Sequence, residues 1–235
     1  QYYYAFFAGN AQTNIWAQPS GAFQTLGPVT AENGAATEIG ETHATLGASL
    51  SGGGKGSVYI YWGRVDGGTE PCAWQNTNAL GEVLVGTYAA TIDVAAGGPY
   101  YYRVYATNAV SADWADSSAT FASAPPSVSL SLANAVFAET GGVRPLVTAS
   151  LSAPSVSNVT VHFSFTGAAT KGAGNDYTSS VDTIVIPAFS LNKSISLGAL
   201  DDALPEADEP LLVNIDSLVN ATNGTITSVT ATLQS

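Results

Sequence analysis

Ser57-Val-Tyr-Ile-Tyr-Trp62 is a short run of β-branched and aromatic residues that stops at Gly63. Runs of the same make recur at residues 100–106, 159–165 and 183–186, each set off by clusters of Gly, Ser, Asn and Pro. Such residues fit a pleated, half-buried surface, and their spacing between turn formers predicts antiparallel strands. No window sustains the i, i+3, i+4, i+7 apolar pattern of a long amphipathic helix, and glycine recurs too often to permit one. The predicted fold class is all-β.

At 235 residues the chain exceeds the usual domain size of roughly 100–150 residues, so two domains are expected. Ala122-Ser-Ala-Pro-Pro-Ser127 joins small residues to a stiff Pro pair between two strand-rich halves and reads as a linker. The expected organisation is an arm over residues 1–26, a first sandwich over 27–124 and a second over 125–235.

Charged residues make up 10% of the chain, against about 25% in soluble domains. The formal charge is −12 and the six basic residues are scattered, which excludes a nucleic-acid partner because phosphate binding needs clustered Lys and Arg. The chain has no Met and opens at Gln1, which is read as a mature chain whose export signal has been removed. An extracellular or cell-surface location follows as an expectation. Cys72 is the only cysteine, so no disulfide forms within the chain. No apolar run approaches the roughly 18 residues of a membrane span.

The first 26 residues contain no charge, the first being Glu32, yet they hold Tyr2, Tyr3, Tyr4, Phe6, Phe7, Trp16 and Phe23. On a period of two, Tyr2, Tyr4 and Phe6 fall on one face and Tyr3 and Phe7 on the other, so both faces of such a strand are apolar. A solvated edge strand would not look like this. The segment is expected to add as a strand, or pack as an extended arm, against a neighbouring copy, with Tyr2, Tyr4, Phe6, Phe7 and Trp16 as its contact residues. Head-to-tail repetition of such a contact gives a filament unless it closes a ring.

Residues 27–124 carry Thr45-Leu46-Gly-Ala-Ser-Leu50, Val58-Tyr-Ile-Tyr-Trp62, Thr91-Ile-Asp-Val94 and, six positions after Val94, Tyr100. This part resembles a fibronectin type III module. The resemblance implies a tyrosine corner, in which the Tyr100 hydroxyl bonds back to upstream backbone. Residues 125–235 carry Val128-Ser-Leu130, Phe137-Ala-Glu139-Thr-Gly141-Gly142, Asn175-Asp176-Tyr177-Thr178, Ile184-Val-Ile186-Pro187 and Leu200-Asp201-Asp202-Ala-Leu-Pro-Glu206-Ala-Asp208-Glu209. This part is similar to the Calx-β family, which implies a seven-strand sandwich and a Ca²⁺ site made of Glu139, Asp176, Asp201, Asp202, Glu206 and Glu209.

The acidic run itself has two readings. Asp201, Asp202, Glu206, Asp208 and Glu209 place five carboxylates in nine positions, and either a cation or wide solvation must relieve their repulsion. Hard oxygen donors at that density suit Ca²⁺. Asn-x-Ser/Thr sequons at Asn158, Asn192, Asn220 and Asn223 mark glycosylation sites in a host that modifies them.

Catalysis has little to stand on. His43 and His162 are the only histidines, and His162 sits in the alternation Val161-His-Phe163-Ser-Phe165, where it reads as a sheet-surface residue. No nucleophile elbow, P-loop or dinucleotide fingerprint occurs, so no enzyme is expected. Tyr59, Tyr61, Trp62, Trp74, Tyr101 and Trp114 read either as core and sheet-face cover or as a platform that stacks on sugar rings. The function expected is that of an extracellular structural subunit that assembles into a filament or surface layer. The alternative is a binding or spacer module, for carbohydrate or cell-surface adhesion, in a larger secreted protein.

Overall fold

The computed structural model describes residues 2–23, 25–172, 176–201 and 207–234. They form two compact units. The first takes in Gln1–Glu38, Thr45–Ile92 and Tyr100–Phe121, and the second Ile39–Ala44, Asp93–Pro99 and Ala122–Ser235. Each is built almost wholly of strands, and the all-β sandwich class holds for both.

The first unit begins with a hairpin. Strands β1 (Tyr2–Tyr4) and β2 (Phe7–Gly9) run out, and β3 (Asn14–Trp16) and β4 (Gly21–Phe23) run back. Tyr2 lies opposite Phe23 and Phe7 opposite Trp16, and the Ala17 N–H donates to Phe6 O at 2.7 Å between the two pairs. Asn10 makes the turn: its Oδ1 accepts from the Gln12 and Thr13 N–H groups, both at 2.9 Å, the local bonding for which Asn is favoured in turns. The segment expected as one extended arm therefore folds back on itself, because its second half supplies aromatic partners for its first. Cross-strand rings meet at 5.3 Å in Tyr2–Phe23 and 4.8 Å in Phe7–Trp16.

The rest of this unit is a sandwich of β5 (Val29–Thr37), β6 (His43–Gly63), β7 (Asn76–Asp93), β8 (Pro99–Thr107), β9 (Ala112–Trp114) and β10 (Ala119–Ala122). One half of β6 pairs with β5, Val29 opposite Gly52, and the other with β8, Gly63 opposite Tyr101. The change of partner falls at Gly52, Gly53 and Gly54, with φ of 70°, 66° and 76°. Only glycine adopts that backbone readily, and a Cβ on Gly52 would stand 2.7 Å from Pro28 O. The bend curls the sheet, so Leu46 and Leu50 before it and Val58 and Ile60 after it are all buried. Tyr100, which the fibronectin type III resemblance sets at a corner, is buried and stacks on Phe121 at 5.3 Å. Tyr102 donates its hydroxyl to Gly34 O at 2.5 Å.

The second unit contains β11 (Ser127–Ala133), β12 (Val136–Ala138), β13 (Leu146–Leu151), β14 (Val159–Gly167), β15 (Tyr177–Ser179), β16 (Thr183–Ile186), β17 (Asn192–Ala199), β18 (Glu209–Val219), β19 (Thr222–Asn223) and β20 (Ser228–Gln234). They make two five-stranded sheets, ordered β15-β17-β13-β11-β19 and β12-β20-β18-β14-β16. Alternation sends Val147, Ile195 and Leu197 of one sheet and Val161, Ile186, Leu211 and Val213 of the other into one core. His162 falls on the outer face, where its Nδ1 is 2.9 Å from Thr183 Oγ1. Among the described residues no helix is long and apolar enough to cross a membrane.

Candidate functional site: an uncharged aromatic hairpin

Among the described residues the hairpin strands have one partner each. Tyr2, Tyr3, Tyr4, Phe6, Phe7, Ile15, Trp16 and Phe23 consequently stay between 49% and 74% exposed. All five contact residues expected from the sequence lie here. Phe6, Ala8, Ile15, Trp16, Ala17 and Gln18 line a shallow apolar depression. A count of aromatics misses Ile15; its place opposite Ala8 on β2 is what brings it to the surface beside Trp16.

The acidic residues expected to bind Ca²⁺ are drawn toward one end of the second unit. Pairing of β15 with β17 sets Tyr177 opposite Ala199, and the Leu200 N–H donates to Asp176 O at 2.9 Å, which carries Asp201 past Asp176. On the other sheet β20 lies between β12 and β18, with Glu209 opposite Leu233 and the Glu139 N–H donating to Gln234 O at 2.9 Å. Asp176 Oδ2 accepts from the Thr170 N–H at 2.6 Å and the Thr170 hydroxyl at 3.0 Å. The backbone bond from Thr170 chiefly holds the Asp176 carboxyl below its usual range, partial burial opposes it, and bonds from the Thr170 hydroxyl and the Glu209 carboxyl add to it. Asp176 and Glu209 are thus in contact. Asp201 is exposed and Glu139 is buried. Asp202 and Glu206 lie outside the described residues, and among the described residues no three His, Cys, Asp or Glu side chains come together as a metal site. The donors are right in kind for Ca²⁺, which takes 6–8 oxygens, and the described ones do not make up such a shell.

The six aromatics read as a possible sugar platform separate. Tyr59, Tyr61 and Trp114 share the outer face of the first sandwich, where Tyr61 meets Trp114 at 5.0 Å and Tyr59 at 6.4 Å. Tyr105, which the sequence reading missed, completes the cluster at 4.8 Å from Trp114 and 6.1 Å from Tyr59. Its period-two position, with Tyr101 and Arg103, was the available signal. Burial, and then the neighbouring Tyr105, Tyr59 and Cys72, raise the Tyr61 pKa. Trp62 instead donates its Nε1–H to Asn78 Oδ1 at 2.8 Å, and Trp74 is buried. Asn158, Asn192, Asn220 and Asn223 are all exposed, although the Asn158 Oδ1 already accepts the Ala188 N–H at 2.9 Å.

Neither a protein-family model nor a curated protein matches the sequence. In structure the chain is similar to the calcium binding domain CBD12 of CALX1.1, at 13% identity, 83% of this chain, 94% of that one and a TM-score of 0.34. It is similar to CBD12 from CALX1.2 over 83% of this chain and 93% of that one, at 13% identity and a TM-score of 0.32. Similarity to the FN1-FN3 domains of chicken CNTN1 covers 88% of this chain and 66% of that one, at 14% identity and a TM-score of 0.32.

Proposed function

We propose that the chain is an extracellular structural subunit that binds copies of itself through the N-terminal hairpin, forming a filament or a surface layer. The exposure of the hairpin carries this reading. At ~150–250 Å² for each aromatic side chain, the open fractions of its eight large side chains amount to roughly 1,000 Å² over the two faces together, comparable with the ~800 Å² that each partner contributes to a standard interface. Patches of that size on a soluble chain mark association sites. The extracellular setting rests on the Ser-, Thr- and Asn-rich, weakly charged composition and the four exposed sequons, which also make glycans candidate surface groups. Electron microscopy and sedimentation of the full chain and of a chain lacking residues 1–26 test the reading. The full chain should form polymers and the shortened one monomers whose thermal melting is retained; polymers from the shortened chain would overturn it.

Ca²⁺ at the acidic end of the second unit belongs to the same proposal, supported by the contact of Asp176 with Glu209. Its test is melting with Ca²⁺ and with chelator. A site that binds only the folded state adds about 2.7 kcal/mol at a hundredfold excess over its dissociation constant, and coincident melts would remove it. A second reading, carbohydrate binding, is favoured by the half-exposed Tyr59–Tyr61–Tyr105–Trp114 cluster. Retention on immobilised polysaccharide that Trp114→Ala abolishes would support it.

A further inference from the structure

We infer that the hairpin of one copy docks on the open edge of β7 in a second copy, its limb of residues 2–9 pairing along residues 83–92. This rests on the self-assembly reading above and names its receiving surface.

The edges of the first sandwich are not alike. On β5 the Val29 N–H is taken by Ser111 Oγ at 2.9 Å and the Ala31 N–H by Asp113 Oδ2 at 2.8 Å, so side chains already occupy donors that a new strand would need. The terminal strands β9 and β10 are three and four residues long. β7 runs for 18 residues and, among the described residues, pairs with β6 alone; the Tyr88 hydroxyl donates to Leu84 O at 2.7 Å, a carbonyl that an added strand would take over. Natural edges of that length are usually blunted by Lys, Pro or burial. From Val83 to Ile92, however, the sequence Val-Leu-Val-Gly-Thr-Tyr-Ala-Ala-Thr-Ile has neither charge nor proline. Leu84 and Val85 are 68% and 51% exposed, and being consecutive they stand on opposite faces of the strand.

The hairpin complements that edge. Copies with a formal charge of −12 repel one another, and contact between two uncharged stretches removes no carboxylate from water. Within the hairpin, the return limb contains Pro19, which has no N–H to donate, whereas residues 2–9 contain no proline. At ~3.3 Å per residue the limb spans roughly 26 Å and residues 83–92 roughly 33 Å, so the edge accommodates the limb along its whole length. Because Leu84 and Val85 stand on opposite faces of the edge, aromatic residues on either face of the limb would find an exposed aliphatic neighbour there.

Two measurements on the full chain test this. The first compares the pelleted fraction of the parent, the chain lacking residues 1–26 and the double variant Leu84→Lys/Val85→Glu, with thermal melting as the folding control. The second, in a Cys72→Ser background, co-assembles Ala5→Cys copies with Thr87→Cys copies and treats them with a short bismaleimide. A tenfold or greater loss of pelleted protein in both altered chains, with a cross-linked dimer from the mixture and from neither population alone, is the expected result. Polymers from the shortened chain would overturn the hairpin reading itself. A monomeric shortened chain beside a double variant that pellets like the parent, without cross-link in the mixture, would leave the hairpin reading standing and overturn the assignment to β7. Should the double variant melt early, the cross-link alone decides, since Ala5 and Thr87 are both exposed.

Discussion

Tyr3 and Tyr177 are the same residue on strands of equal length, three residues each, and they are 71% and 1% exposed. Neither hydrophobicity nor strand propensity separates them. β15 joins a five-stranded sheet with a second five-stranded sheet against its inner face, whereas β1, among the described residues, has β4 as its one partner. An isolated two-stranded hairpin is marginal in water, and among the described residues no strand outside the hairpin pairs with this one. The comparison teaches that the second layer, more than the side chain, decides whether an aromatic residue stabilises a fold or remains available to another molecule.

The sharpest way to break this contrast is Tyr177→Ala, which should destabilise the second unit by about 3–5 kcal/mol in denaturant melts, as aromatic truncations in packed cores do. A loss below about 1 kcal/mol would show that Tyr177 is not the core residue its burial implies. Titration offers a second view of the same ring. Burial first, then the charges of Asp182 and Asp176, push the Tyr177 hydroxyl up to about 12, while in the unfolded chain it titrates near ~10. The unfolded state therefore loses its proton first. Stability from this group should be intact below the unfolded value and drain away as pH rises toward the folded one. Urea midpoints at rising alkaline pH measure this, and Tyr177→Phe should flatten the decline.

A smaller effect is expected from Tyr102→Phe in the first sandwich. It removes one hydroxyl bond, to Gly34 O at 2.5 Å, and keeps the ring, so a loss of about 0.5–1.5 kcal/mol should follow. The smallest falls on the hairpin: Trp16→Ala should leave monomer stability within about 0.5 kcal/mol, as surface substitutions do, while lowering the pelleted fraction. A large loss of monomer stability would mean that the hairpin belongs to the first sandwich's own core.

The strands centred on Tyr59, Val104, Val161 and Val185 were legible because each alternates or carries β-branched and aromatic residues between turn formers, and that signal is local. The hairpin was half legible. Its aromatic, uncharged character stood in the sequence, but the turn at Asn10-Ala-Gln-Thr13 lacks the Asn-Gly dipeptide that announces a tight hairpin, and pairing Phe7 with Trp16 is a tertiary fact. Tyr105 was missed for the same reason, since its place beside Tyr59 and Trp114 depends on the register of three strands. The acidic residues were legible as a set. The closeness of Asp176 to Glu209 depends on β15 and β18 ending at one end of different sheets, and Asp202 and Glu206 lie outside the described residues.

The position of β20 in the second unit has a consequence for how the protein is made. Synthesis delivers Val136–Ala138 long before Ser228–Gln234, yet Phe137 pairs with Leu233, and Glu209 with that same residue from the other side. Until the ribosome has released β20, β12 lacks its neighbour and β18 keeps one edge unpaired, in a nascent chain that already carries the aromatic hairpin. Such open edges are the species that aggregate during folding. A chain stopped at Thr227 should therefore leave the second unit open between β12 and β18.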